Sequence, residues 1–239
     1  MIGVGEDTCA AGPCDAEAER AAADGETGQS ISIPACVVPF LALTAVTMVL
    51  RAFSSGFDIL YPVRVIVVAG VLLAMTAAYP LQGWRFSLVP VAIGAVAFAV
   101  WMLLAPGAGP AKDVDLLDPG QLGEPWTTLW LLFRVVGATV TVPIAEELFF
   151  RGFVVRRLID AHADSVPVGR LTWLAFVVSS VAFGALHGDA WFAATVVGML
   201  FAGALAWQRS LADAVIAHAT TNALLSVFVI ATGSWSQWG

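Results

Sequence analysis

The chain has 239 residues, of which 59% are hydrophobic and only 12% are charged. Soluble domains carry about a quarter charged residues, so this composition excludes an ordinary soluble enzyme and predicts a membrane protein. Acidic residues outnumber basic ones and the net charge is −7, which leaves no basic face for nucleic acid.

The first 30 residues differ in composition from the rest. They hold seven acidic residues against one basic residue, Arg20, and are rich in alanine and glycine. No apolar period runs through them. We therefore predict that residues 1–30 form an acidic disordered tail in front of a membrane-embedded domain over residues 31–239.

Seven apolar runs follow in chain order, and all but the fourth have about the length that a bilayer-spanning helix needs. The runs are Ile31–Leu50, Pro62–Tyr79, Phe86–Ala105, Trp126–Leu158, Val168–His187, Trp191–Gln208 and Leu211–Thr232. They predict an all-α polytopic membrane bundle with about seven transmembrane helices. The fourth run is too long for one untilted crossing. We expect an interfacial helix at Trp126–Arg134 and then a crossing kinked at Pro143.

The arginines indicate which ends of the helices are cytoplasmic, because cytoplasmic loops carry an excess of basic residues. Counting crossings from the N-terminus places most of the arginines on the N-terminal side of the membrane. These are Arg20, Arg85, Arg156, Arg157, Arg170 and Arg209. We therefore predict a multi-pass protein with a cytoplasmic N-terminus. Scarce lysine and abundant alanine and valine suggest a bacterial protein of the inner membrane.

Three short segments place polar or ionisable groups within the apolar runs. They are Glu146-Glu147-x-x-x-Arg151, Phe183-x-x-x-His187 and His218-x-x-x-Asn222. Ionisable groups inside a membrane need partners or a water-filled cavity, and they often mark a functional site. Glu147 and Arg151 lie one helical turn apart, and this spacing predicts an ion pair between them. Glu146 is rotated by about 100° on the same helix, so it points elsewhere.

Depth supports a shared site. Measured from the nearest cytoplasmic arginine at a rise of 1.5 Å per residue, Glu146 lies about 15 Å deep and His218 about 13 Å. Asn222 and His187 lie about 20 and 25 Å deep. A carboxylate and a histidine could activate a water molecule, while a second histidine and an amide could donate to an oxyanion. The set suits peptide-bond hydrolysis without a covalent intermediate.

The three segments, in this order, resemble the motifs of the type II CAAX prenyl proteases, also called Rce1-like or CPBP intramembrane proteases. The resemblance covers about residues 126–231. It implies a helical fold with a cavity open to the cytosol. It also implies that Glu146 and His187 activate water, that His218 and Asn222 form the oxyanion site, and that the substrate is a membrane-bound protein or peptide.

A second resemblance concerns the N-terminal half. The segment Tyr61-Pro-Val-Arg64 is similar to a bacterial subgroup of this family that is associated with exosortase protein sorting. That subgroup implies a bacterial membrane protein, rather than a prenylated one, as the substrate, and an exosortase as a partner.

Other interpretations of the same residues stay open at this point. The chain could be a transporter or a non-catalytic partner of a membrane enzyme. The histidines, Phe183 and the Glu147–Arg151 pair could be structural, and Asn222 could bridge helices. Glu146, His187 and His218 could bind Zn²⁺. We favour a mechanism without metal or cofactor, because no H-E-x-x-H motif is present and asparagine is a poor zinc ligand.

Overall fold

The computed structural model describes residues 31–53, 57–79, 87–106 and 118–238, and these residues form helices and turns without a β-strand. The predicted tail, Arg85 and Lys112 lie outside them. The described apolar helices are α1 (Ile33–Arg51), α2 (Tyr61–Ala74), α3 (Val89–Leu104), α4 (Trp126–Ile159), α5 (Trp173–Ala185), α6 (Trp191–Gln208) and α7 (Leu211–Thr232). The structure therefore confirms the all-α bundle.

Four segments are long and apolar enough to cross a membrane, and they comprise α1, α4, α6 with the turn before it, and α7. Helices α2, α3 and α5 are apolar but shorter, with 14, 16 and 13 residues. The α2 run was predicted to reach Tyr79, but the helix ends at Ala74 and a short 3₁₀ turn follows. The α5 run was predicted from Val168, but the helix begins at Trp173.

Local sequence explains several of these boundaries. Helices α1, α2 and α3 each carry a proline in the first turn, where its missing N–H costs no hydrogen bond. Helix α5 begins after Thr172, whose hydroxyl accepts a hydrogen bond from the Ala175 amide, as an N-cap residue does. Helix α7 ends at Gly233, which has a φ of 68°, the left-handed conformation that glycine adopts freely at helix C-termini.

Helix α4 is one continuous element of 34 residues. The stretch predicted as an interfacial helix is its first part, Trp126–Val136. Two π-helical segments, Gly137–Thr141 and Leu148–Val154, lie on either side of the turn that holds the two glutamates. Such segments insert an extra residue into the helical turn and are frequent at functional sites. They change the direction of the side chains that follow.

The helices pack closely around α4. Helix α1 lies against α2 and the second π segment, while α7 lies against α3 and α6, and α5 lies against α6. The approach of α3 to α7 depends on Gly94, because a Cβ atom there would lie 2.4 Å from the Ala217 carbonyl oxygen. The Thr221 hydroxyl donates to the Gly94 carbonyl at 2.9 Å across the same contact.

Arg156, near the end of α4, is 1% exposed, although the sequence analysis counted it among the cytoplasmic arginines. Its guanidinium donates to three carbonyl oxygens, those of Ile31, Gly152 and Val166, at 2.8–3.2 Å. Arg156 therefore fastens the start of the described chain and the loop after α4 to one end of the bundle. Arg157, which follows it, is exposed.

Candidate active site

Glu147 and Arg151 form a fully buried ion pair on α4. The Arg151 Nη1 atom lies 3.1 Å from Glu147 Oε1, and neither side chain is exposed. Arg151 also donates from Nη2 to the Gly198 carbonyl of α6 at 2.7 Å, and its guanidinium lies 4.8 Å from the centre of the Phe183 ring on α5. The pair thus fixes the positions of three helices relative to one another.

His218 of α7 lies between the two glutamates. Its Nδ1 atom is 2.9 Å from Glu147 Oε1, and its Nε2 atom is 3.9 Å from Glu146 Oε2. A carboxylate paired with arginine can only accept hydrogen bonds, so Nδ1 carries the hydrogen. Glu147 therefore sets the orientation of the imidazole and directs Nε2 towards Glu146. The i,i+4 spacings in the sequence did not reveal this contact, since they relate residues of one helix only.

Glu146 differs from Glu147 although the two are adjacent in the chain. Its side chain is 15% exposed, against 0% for Glu147. Both glutamates have a buried Oε2 atom without a hydrogen-bond partner, but Glu147 is held through its Oε1 by Arg151 and His218. Glu146 thus has an acceptor oxygen available 3.9 Å from His218 Nε2. That is the arrangement a general base towards water requires.

His187 follows the last turn of α5. Its Nδ1 atom lies 2.9 Å from the Phe183 carbonyl oxygen, which can only accept, so the neutral ring keeps an unprotonated Nε2. The Phe183 ring lies 4.6 Å from the His187 ring and 5.8 Å from the His218 ring, between centroids. The ion pairs of the described residues do not include one between His187 and Glu146.

Asn222 lies one turn after His218 on α7 and donates from Nδ2 to the Ala138 carbonyl at 2.8 Å. Ala138 belongs to the first π segment, where a carbonyl pairs with the N–H five residues later. That residue is Pro143, which has no N–H. The Asn222 amide therefore satisfies a carbonyl that the helix leaves free. An amide group has two donor hydrogens, so the second is available to another acceptor.

The structure thus brings together Glu146, Glu147, Arg151 and His218, with Phe183 packed against Arg151 and His218. His187 is connected to this group through Phe183, and Asn222 through α7. No group of three His, Cys, Asp or Glu side chains in the described ranges is gathered as a metal site would need.

The comparisons with known proteins agree with this arrangement. Residues 128–224 match the family model of the Type II CAAX prenyl endopeptidase Rce1-like proteins. The match covers less than half of the chain, so it shows that residues 128–224 are similar to this family. No curated protein and no solved structure matches the chain.

The matched region contains all three motifs and spans α4 from Thr128, α5, α6 and most of α7, whereas α1–α3 lie before it. The family is a protease family, which supports a hydrolase. Together with the apolar helices it makes the chain a multi-pass membrane protein.

Proposed function

We propose that the matched region is an intramembrane endopeptidase in which Glu146 activates water against a peptide bond. The observation that carries the proposal is the position of His218, which Glu147 holds by Nδ1 while Nε2 lies 3.9 Å from Glu146 Oε2, an oxygen without a hydrogen-bond partner. A buried carboxylate oxygen without a hydrogen bond lowers the stability of the fold. A role in catalysis would explain why it is found next to an oriented imidazole.

The first step is the attack of water. The Glu146 carboxylate takes one proton from the water while the water oxygen forms a bond to the carbonyl carbon of the substrate. His187, whose Nδ1–H is held by the Phe183 carbonyl, accepts the other water hydrogen at Nε2 in a hydrogen bond and orients the nucleophile. The carbonyl oxygen becomes an oxyanion.

The oxyanion needs hydrogen-bond donors. The second hydrogen of the Asn222 amide supplies one, and His218 supplies the other from Nε2 when it is protonated on both nitrogens. Removal of one such donor typically slows an enzyme by about 10²–10³-fold. The oxyanion then expels the amine, the C–N bond breaks, and the Glu146 carboxyl returns its proton to the leaving nitrogen. Water and peptide thus give a carboxylic acid and an amine, and the Glu146 carboxylate is regenerated.

The proposal extends to the substrate and its location. The substrate is a membrane-bound protein or peptide, cleaved near the membrane face that carries Arg157, Arg170 and Arg209, which the sequence predicts to be cytoplasmic. The mechanism needs no metal ion, and Zn²⁺ held by Glu146, His187 and His218 is its alternative. An exosortase partner and a bacterial inner-membrane location stay predictions from the sequence.

Peptide cleavage by the purified chain in proteoliposomes tests the function. Two internally quenched peptides that differ only in a farnesylated cysteine are offered to the wild type, to Glu146→Gln and to Glu124→Gln, whose exposed carboxylate accepts a hydrogen bond from the Thr128 hydroxyl. We expect cleavage by the wild type and Glu124→Gln and none by Glu146→Gln. The farnesyl dependence identifies the substrate class. Turnover by Glu146→Gln at the wild-type rate would contradict the proposal. A wild type that cleaves neither peptide would favour the non-catalytic alternative.

A further inference from the structure

A second cluster of charged and aromatic residues lies away from the glutamates, where α2 begins and α7 has ended. Two arginines contact the same tyrosine ring there. The guanidinium carbon of Arg134 is 4.3 Å from the centre of the Tyr61 ring, and that of Arg64 is 4.8 Å from it. Both distances are within the range of cation–π contacts. We call Asp58, Tyr61, Arg64 and Arg134 the arginine cluster.

The arginine cluster carries more positive than negative charge. Asp58 forms an ion pair with Arg64. Arg134 donates to the Trp238 carbonyl, and within the part of the chain that the structure describes it forms no ion pair of its own, although the Asp58 carboxylate that pairs with Arg64 also attracts it. The cluster therefore holds two guanidinium groups against one carboxylate. The side chain of Arg64 is only 12% exposed. A surplus positive charge in a membrane protein is expensive unless an anion compensates it.

An apolar cavity adjoins the arginine cluster. Its volume is about 370 Å³, within the range of small-molecule pockets. It is lined by Ile59, Pro62, Leu122, Trp126, Leu129 and Trp130. Trp130 connects the two features, because its indole N–H donates to the Asp58 carbonyl at 2.9 Å and its ring packs against Tyr61. Trp126 is 62% exposed, so the cavity is open at its rim.

We propose that the arginine cluster and this cavity together bind one anionic glycerophospholipid. The phosphate of the headgroup would compensate the surplus charge of Arg64 and Arg134, and an acyl chain would occupy the apolar cavity. The combination of a basic group and a continuous apolar wall favours a lipid over a free phosphate, which would leave the cavity unfilled. Basic side chains near a membrane surface attract anionic lipids by about fivefold in affinity for each charge. The proposal does not depend on protease activity.

Lipid binding to the full-length protein in detergent tests this site. Native mass spectrometry would measure the affinities of phosphatidylglycerol and of phosphatidylcholine with the same acyl chains. Inorganic phosphate would be added separately to test whether a free anion displaces the lipid. We expect phosphatidylglycerol to bind about fivefold more tightly than phosphatidylcholine. Arg134→Gln should remove this preference. Asp58→Asn, which leaves both arginines in place, should increase it. The matched control is Arg157→Gln, which neutralises an exposed arginine elsewhere and should change nothing.

Each result decides the proposal. Equal affinities for the two lipids in the wild type would overturn it, as would a loss of preference in Arg157→Gln as large as in Arg134→Gln. Displacement of the lipid by millimolar phosphate would show an ion site instead of a lipid site. If Arg134→Gln does not fold, Asp58→Asn decides alone, because an unchanged preference in that variant would contradict the role of charge.

Discussion

At the scale of single residues, the site is a chain of contacts in which basic and acidic side chains alternate. Arg151, Glu147, His218 and Glu146 follow one another, with 3.1 Å, 2.9 Å and 3.9 Å between the facing atoms. When His218 is protonated, it lies between the two carboxylates, and the two positive and two negative charges sum to zero. Buried charges are tolerated only in such paired arrangements. Glu147 has the central structural role, since its Oε1 atom lies 3.1 Å from Arg151 Nη1 and 2.9 Å from His218 Nδ1.

The two adjacent glutamates should therefore differ when each is changed to glutamine. Glu147→Gln leaves the buried Arg151 without its carboxylate, and we expect a loss of about 3–5 kcal/mol of unfolding free energy. Glu146→Gln should lower stability much less, because its Oε2 makes no hydrogen bond and its contact with His218 Nε2 is longer, at 3.9 Å. Thermal unfolding of both variants in the same detergent measures the difference. Equal melting temperatures would show that the ion pair is not needed for the fold.

At the scale of the helices, close packing places α7, and with it His218 and Asn222, beside α4. Gly94 on α3 sets one side of this packing, since a Cβ atom would meet the Ala217 carbonyl oxygen at 2.4 Å and Thr220 Cβ at 2.6 Å. Backbone atoms cannot move aside as a flexible side chain can. The contact between α3 and α7 therefore depends on a residue without a side chain.

Gly94→Ala should separate α3 from α7 and cost about 1–3 kcal/mol by overpacking. Gly70→Ala on α2 is the matched control, because a Cβ atom there has nothing within 4 Å and alanine favours a helix. We expect thermal unfolding to detect a destabilised Gly94→Ala and a Gly70→Ala that equals the wild type or exceeds it. Two variants of equal stability would contradict the close approach of the two helices.

Most of the elements could be predicted from the sequence, because apolar runs of membrane length are bounded by recognisable residues. The range predicted for α7 matches the helix, which lies between Ser210 and Gly233. The start of α5 was predicted too early, because residues 168–172 are partly apolar yet contain Gly169 with a φ of 86°, where the chain turns against Arg209. Hydropathy alone does not register such a turn.

The site was less accessible to sequence reasoning. Spacing within a helix predicted the Glu147–Arg151 pair, which the structure contains. The contact of His218 with Glu147 joins residues 71 positions apart, and it depends on how α7 packs on α4 and on the two π segments. The hydrogen bond from Asn222 to the Ala138 carbonyl likewise depends on a π-helical segment. No residue pattern in the sequence predicted that segment.

At the scale of the whole molecule, one end of the bundle is held by Arg156, which binds the Ile31 carbonyl at 3.0 Å. The acidic residues predicted to be a disordered tail precede this attachment. A solvated tail buries no surface, so removal of residues 1–28 should shift the melting temperature by less than about 2 °C. Thermal unfolding of the truncated and full-length chains tests this. A drop well beyond that value would show that the tail contributes to the fold.

The central claim of the account is that Glu146 and His187 act on one water molecule. A double-mutant cycle tests this claim. The peptide-cleavage rate in proteoliposomes is measured for the wild type, Glu146→Asp, His187→Gln and the double variant. Residues that act as one unit are not additive. The account predicts that the double variant is no slower than the slower single variant, within about twofold. A rate reduced by the product of the two single losses would show that Glu146 and His187 act independently, and it would contradict the shared site.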